Sequence, residues 1–147
     1  MTLHADYDPE NIFAKILSGD MPSVKVFEDD VALAFMDVFP QAEGHTLVIP
    51  KDVRARNLLD MPTDKLGAYM ERVQAVARAV EKALRPDGVV VTQFNGASAG
   101  QTVFHLHFHI MPRAQGLEFK LHAREMEDFG VLKAHAEQIR TCLQPGQ

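Results

Sequence analysis

The chain has 147 residues, 46% of them hydrophobic and 24% charged, with 15 Lys+Arg against 20 Asp+Glu for a formal charge of −5. That length allows a real hydrophobic core in one domain, and the acidic balance argues against broad binding to nucleic acid or an anionic membrane. No apolar run approaches the ~20 residues of a membrane span, the N-terminus lacks a signal-peptide pattern, and the lone Cys142 cannot form an internal disulfide, so a cytoplasmic protein is expected.

In chain order, Asp8-Pro9-Glu10 reads as a helix start with an Asp cap, followed by Ile12, Phe13, Ile16 and Leu17 at helical spacing and Gly19 as the stop. Strands are predicted over 24–27 and 31–37, around the acidic turn Glu28-Asp29-Asp30, and over 46–49 before Pro50. A long amphipathic helix is expected from about 60–63 to Leu84, with Leu66, Met70, Val73, Ala77, Val80 and Leu84 on its apolar face. Arg85-Pro86-Asp87-Gly88 breaks it, a fourth strand covers 89–94, and a fifth covers 102–111. Residues 113–130 carry no clear pattern, and 131–143 suit a short terminal helix. Strands joined mainly by short turns favour an antiparallel sheet with helices packed on one face, an α+β domain.

The fifth strand carries the chemistry. His105, His107 and His109 alternate with Phe104, Leu106, Phe108 and Ile110, so the imidazoles should share one face, about 6.6 Å apart, with the apolar residues on the other. Imidazole serves as nucleophile, proton shuttle or metal ligand near neutral pH. A purely structural strand gains little from clustered imidazoles, which repel one another when protonated. The preceding turn, with Gly100, Gln101 and Thr102, can bring backbone N–H groups together on a phosphate, with Gln101 and Thr102 as side-chain donors; a plain hairpin loop is the other reading of the same residues. Alternate histidines also suit a zinc hydrolase, the metal alternative at this point.

The block His105-Leu106-His107-Phe108-His109-Ile110-Met111 resembles the signature of the histidine triad (HIT) superfamily. Ile12-Phe13-Ala14-Lys15-Ile16, Ala34-Phe35-Met36-Asp37, Gly44-His45-Thr46-Leu47-Val48-Ile49-Pro50-Lys51 and Ala99-Gly100-Gln101-Thr102-Val103-Phe104 match further blocks in order. The likeness covers about residues 10–113 of a single domain spanning 1–147, is nearest the bacterial Hint-like branch, and leaves 114–147 without a matching signature.

This resemblance implies a five-stranded antiparallel sheet with two main helices, a two-fold homodimer, and purine-nucleotide chemistry without a cofactor. It implies that His107 attacks the α-phosphorus of an adenosine phosphoramidate, or of an acyl or lysyl adenylate, giving a nucleotidyl-histidine that water hydrolyses to AMP. His109 would contact the phosphate and assist the leaving group, while His105 and His45 order the network. Asp37 would hold the ribose hydroxyls, and Ile12, Phe13, Ile16, Val38 and Leu47 the purine. Two alternatives remain at this stage: cleavage of dinucleoside polyphosphates, as in the Fhit branch, and a nucleotide-responsive regulatory module with incidental catalysis. Many bacterial relatives bind structural zinc through a Cys-x-x-Cys pair; Asn11 and Ala14 stand at those positions, so no metal site is expected. Phe94 stands where many Hint-like members have an asparagine, which leaves open whether Asn95 supplies that polar contact.

Overall fold

The computed structural model describes residues 3–115 and 126–143. Helix α1 (Ile12–Ser18) is followed by strands β1 (Lys25–Glu28), β2 (Ala32–Met36) and β3 (Thr46–Pro50), helix α2 (Thr63–Leu84), strands β4 (Gly88–Thr92) and β5 (Phe108–Arg113), and helix α3 (Phe129–Cys142). The strands form one sheet in the order β1-β2-β3-β5-β4, every neighbouring pair antiparallel. The α+β architecture expected from the sequence is therefore present.

The local causes are visible in the side chains. Asp29 turns β1 into β2, its Oδ1 accepting from the backbone N–H groups of Val31 and Ala32 at 2.9 Å each. Helix α1 is capped one turn later than predicted: Asn11, not Asp8, is the N-cap, accepting at 2.9 Å from the N–H of Ala14. Asp8 accepts instead from the N–H of Glu10, ordering the approach to the helix. Gly19 ends the helix in the left-handed region, at φ +88°.

The sheet buries both faces, whereas the sequence reading placed the helices on one. Ala32, Ala34, Met36 and Val48 pack with Tyr69, Val73, Val76 and Val80 of α2 and Leu132, Ala136 and Ile139 of α3. On the opposite face Leu33, Phe35, Leu47 and Ile49 form a smaller cluster with Phe13 of α1. Strict alternation along β2 and β3 makes this possible, since each strand is buried at every position. The apolar stripe of α2 is centred on Tyr69, Val73, Val76 and Val80; Leu66, Met70, Ala77 and Leu84 flank it. Tyr69 is tolerated at the centre because its hydroxyl donates to the carbonyl of Val48 at 2.7 Å.

The histidine strand is shorter than its sequence pattern. The ladder begins at Phe108, not Thr102, and runs to Arg113. On the β3 side the last pair is Val48 with Phe108. Extending it would oppose Leu106 to Pro50, which has no N–H to contribute. The N–H of Leu106 goes instead to the carbonyl of Ala55 at 2.9 Å. His105 and His107 therefore lie in an extended lead-in held by the 54–57 loop rather than by the sheet.

Candidate active site

The three triad histidines and His45 are brought together, and all four are nearly solvent-free, with exposures of 1% (His45), 1% (His105), 6% (His107) and 8% (His109). The β3–β5 register sets His109 beside Leu47, on the face carrying Phe13 and Phe35. The rings of His107 and His109 approach to 4.9 Å between centroids, closer than the 6.6 Å step expected between their strand positions, because they lean together edge to face. The alternate residues Leu106, Phe108 and Ile110 enter the opposite core as predicted. Phe104 does not; its ring lies beneath the guanidinium of Arg56, at 4.3 Å.

The hydrogen bonds fix which nitrogen of each ring carries a proton. Nδ1 of His107 lies 2.7 Å from the carbonyl oxygen of His105. A carbonyl only accepts, so Nδ1 holds the hydrogen and Nε2 keeps its lone pair. At His45 the order is reversed. The backbone N–H of Gln41 donates to its Nδ1 at 3.1 Å, leaving the hydrogen on Nε2. That Nε2–H points at Nδ1 of His109, 3.0 Å away, with Oδ2 of Asp37 at 3.4 Å. His109 thus accepts at Nδ1 and carries its own hydrogen on Nε2. One imidazole presents a lone pair and its neighbour presents a proton.

Burial keeps the rings of His45, His105 and His107 neutral. Loss of hydration pushes His107 and His105 down to about 4 and His45 to about 3. Asp37 moves the other way, raised by burial to about 6 and held from rising further by the N–H of Phe39, which it accepts at 2.8 Å. It is therefore mainly a carboxylate at pH 7. The sign of the pH effect on folding follows. Unfolded imidazoles take up protons near pH 6.5, which the native rings exclude until about 4, so stability is expected to fall as pH drops through that window. Asp37 offsets part of this between about 6 and 4, because its native form accepts a proton first. Thermal unfolding midpoints from pH 7.5 to 4.5 check it; a flat profile would contradict neutral buried histidines.

Beside the rings lies a cavity of about 650 Å³. Ile12, Phe13, Ile16, Val38 and Leu47 line it as predicted, together with Asp37, Thr102 and His109. Its wall is mostly apolar. His107 is not itself in the wall; its ring neighbours Phe13 and His109, each at 4.9 Å, are. Met21, Pro22, Ser23, Gln41, Val103, Met126 and Phe129 also line the cavity, and none was singled out from sequence. Met126 and Phe129 come from the stretch that carries no readable pattern, and the 126–128 backbone docks through the N–H of Glu127 on the carbonyl of Val38 at 2.8 Å.

Three residues predicted to contact nucleotide are placed otherwise. Gln101 is 3% exposed, and its amide holds the loop together: Nε2 donates to the carbonyls of Arg56 (2.7 Å) and Val103 (3.0 Å), while Oε1 accepts from the N–H of Gly96 (2.8 Å). It has no donor to turn toward a phosphate. Asn95 likewise lies outside the cavity lining, its Oδ1 accepting from the N–H of Leu58 and from Gln93. Gly100 (φ +111°) forms the turn and backs onto the ring of Phe94, outside the cavity wall. Phe94 in turn lies 5.5 Å from the ring of His109, an apolar neighbour for the proton-bearing imidazole.

A metal reading fails on the same hydrogen bonds. Asp37, His45 and His109 offer ligand atoms within 4.8 Å of one another, the one such group among the described residues. A metal on Nε2 of His45 needs the lone pair there and the hydrogen on Nδ1, the reverse of what the Gln41 N–H imposes. The set fits a proton relay instead. At the helix start, Asn11 and Ala14 are occupied with each other as cap and capped N–H.

The HIT domain family model matches residues 18–116. This chain belongs to the HIT family. The crystal structure of a HIT-like protein of Bartonella henselae, involved in cell-cycle regulation and holding an unknown ligand, is similar at 49% identity and a TM-score of 0.89, covering 95% of this chain and all of that one. The protein hit of Bacillus subtilis is 44% identical over 102 residues, 69% of this chain and 70% of its own length. The adenosine 5′-monophosphoramidase of Saccharomyces cerevisiae is 38% identical over 113 residues, 77% of this chain and 68% of its own. Among the described residues no helix is long and apolar enough to cross a membrane.

Proposed function

We propose that this HIT protein is a nucleoside phosphoramidase-type hydrolase that releases AMP through a nucleotidyl-His107 intermediate. One observation carries the reading: His107 donates Nδ1–H to the His105 carbonyl, which leaves Nε2 with its lone pair on a neutral ring, beside His109. Nε2 attacks the α-phosphorus, forming an N–P bond as the P–N bond to the leaving amine breaks. The amine departs with a proton from Nε2 of His109, which is the imidazolium for this step, so that losing the proton leaves a neutral ring; the Gln41–His45 pair lies at its Nδ1. In the second half, water attacks phosphorus and gives its proton to Nε2 of His109. The N–P bond then breaks and returns its electron pair to His107, leaving AMP and the starting tautomers. Splitting one displacement into two lets the same imidazole pair serve both, first as acid and then as base.

Asp37 at the cavity edge suits the paired ribose hydroxyls, and the apolar wall formed by Ile12, Phe13, Ile16, Val38 and Leu47 suits the base. The phosphoramidase named among the relatives supports an amine as leaving group. Acyl or lysyl adenylates fit the same chemistry, since only the departing atom differs. Incubation with an adenosine 5′-phosphoramidate should release AMP and amine in equal amounts, at a rate unchanged by exhaustive chelation; no AMP release, or faster turnover of diadenosine polyphosphates, would overturn the reading.

The working unit under this reading is a two-fold dimer in a reducing compartment such as the cytoplasm. Strand β4 stands at the sheet edge with Val91 45% exposed, and a second copy pairing there would cover both the edge and the side chain. Sedimentation should give twice the mass of the 16.4 kDa chain.

A further inference from the structure

The N-terminal residues before α1 reach the active site, although nothing in the sequence pattern pointed to them. The hydroxyl of Tyr7 lies 2.6 Å from Nδ1 of His105, with the two rings edge to face at 5.7 Å. At the other end of the same imidazole, Nε2 lies 3.0 Å from the carbonyl oxygen of Pro50. That carbonyl can only accept, so Nε2 of His105 carries the hydrogen and Nδ1 its lone pair. Tyr7 is then the donor. Every polar atom of the His105 ring is held, and its backbone carbonyl receives the Nδ1–H of His107.

The segment carrying Tyr7 is tied to the loop that also holds the histidine lead-in. The carbonyl of Asp6 accepts from Nη1 of Arg56 at 3.3 Å, and that of Leu3 from Nδ2 of Asn57 at 3.5 Å. From the same loop the carbonyls of Ala55 and Arg56 accept from the N–H of Leu106 and the amide of Gln101. Residues 3–7 and 101–107 are thus both fastened to one short segment, 54–57.

We propose that Tyr7 is a positioning residue: its hydroxyl fixes the tautomer and orientation of His105, and His105 through its carbonyl fixes the nucleophile His107. Tyr7 itself touches neither substrate nor the reacting nitrogen. Without its hydroxyl the Nδ1 lone pair of His105, a residue 1% exposed, loses its one donor among the described residues. The ring is then free to take its hydrogen on Nδ1, which sets a bare Nε2 against the Pro50 carbonyl and turns the ring away from it. The 105 peptide follows the ring, and with it the acceptor that holds His107 in its nucleophilic tautomer. The proposal rests on the phosphoramidase reading for its kinetic consequence, but not for its structural one.

The test is Tyr7→Phe, which keeps the aromatic contact and removes only the hydroxyl. Two readouts are taken on the full chain: kcat and KM with an adenosine phosphoramidate, and ¹⁵N NMR of the histidine rings. Wild type should show His105 protonated at Nε2 alone and His107 at Nδ1 alone. In the variant we expect mixed tautomers at His105, kcat lower by roughly tenfold, the scale of one net hydrogen bond, and KM within about twofold, since no group that binds nucleotide has changed. An unchanged kcat, unchanged ring signatures, or a kcat loss matched by the loss of folded protein would each overturn it. If wild type cleaves no phosphoramidate, the functional reading fails, while the ring signatures still decide whether Tyr7 sets the state of His105.

Discussion

Replacing His107 with alanine is expected to lower turnover of an adenosine 5′-phosphoramidate by about 10⁴-fold or more, the scale seen when a covalent nucleophile is removed. AMP affinity should stay within roughly threefold of wild type, because a group that acts by bonding to phosphorus contributes little to ground-state binding. The geometry makes this separation sharp. His107 is not in the cavity wall, whereas Asp37 and the α1 and β3 side chains proposed to hold ribose and base are. The vacated volume adjoins Phe13, which already packs on Phe35 at 5.3 Å between ring centroids, so the slot keeps a wall. Steady-state kinetics with calorimetric AMP binding checks both halves. Comparable losses in turnover and affinity would reassign His107 to binding.

The second large effect belongs to His109. His109→Ala should cut turnover by about 10²–10⁴-fold for an alkylamine leaving group, the range of general acid catalysis. It should have a much smaller effect on a substrate that releases an acidic phenol, which departs without a proton. The relay from Gln41 through His45 predisposes His109 to donate from Nε2, so the defect must depend on how badly the leaving group needs that hydrogen. Equal defects across leaving groups would mean that His109 holds the phosphate rather than protonating the amine. The neighbouring ring of Phe94 matters here as well: an apolar surface 5.5 Å away excludes water from one side of the donating imidazole.

Much of this was legible in the chain. Period-2 alternation from Leu106 to Ile110 identified the histidine face and the core face, and the β3–β5 register sets His109 opposite Leu47. The early end of the ladder could also be inferred in hindsight: Pro50 sits where the next β3 donor would be needed. Less accessible were contacts made across long sequence separations. Tyr7 and His105 are 98 positions apart, and no local periodicity announces such a pair. The centring of α2 on Tyr69 depends on a carbonyl in β3 that accepts its hydroxyl, again information held by the tertiary structure. Gln101 illustrates the opposite error. A polar side chain beside a glycine turn suggests a ligand donor, but a buried amide first satisfies the loop that encloses it, here three backbone groups at 2.7–3.0 Å.

Proton placement was the finest detail that sequence could not give. The motif names the imidazoles but not their tautomers, which depend on what each ring meets: a carbonyl at His107, an amide N–H at His45, a hydroxyl and a carbonyl at His105. Under the proposed reading, those four partners turn equivalent side chains into a nucleophile, a proton donor and two supports.

The most direct measurement is mass spectrometry of protein quenched in acid-free denaturant during turnover of the phosphoramidate. The account expects a population heavier by one adenylyl group, with the added mass on the peptide carrying His107 and absent from His107→Ala. An adduct on His105 or His109 instead, or active enzyme that never gains the mass at any quench time, would contradict it.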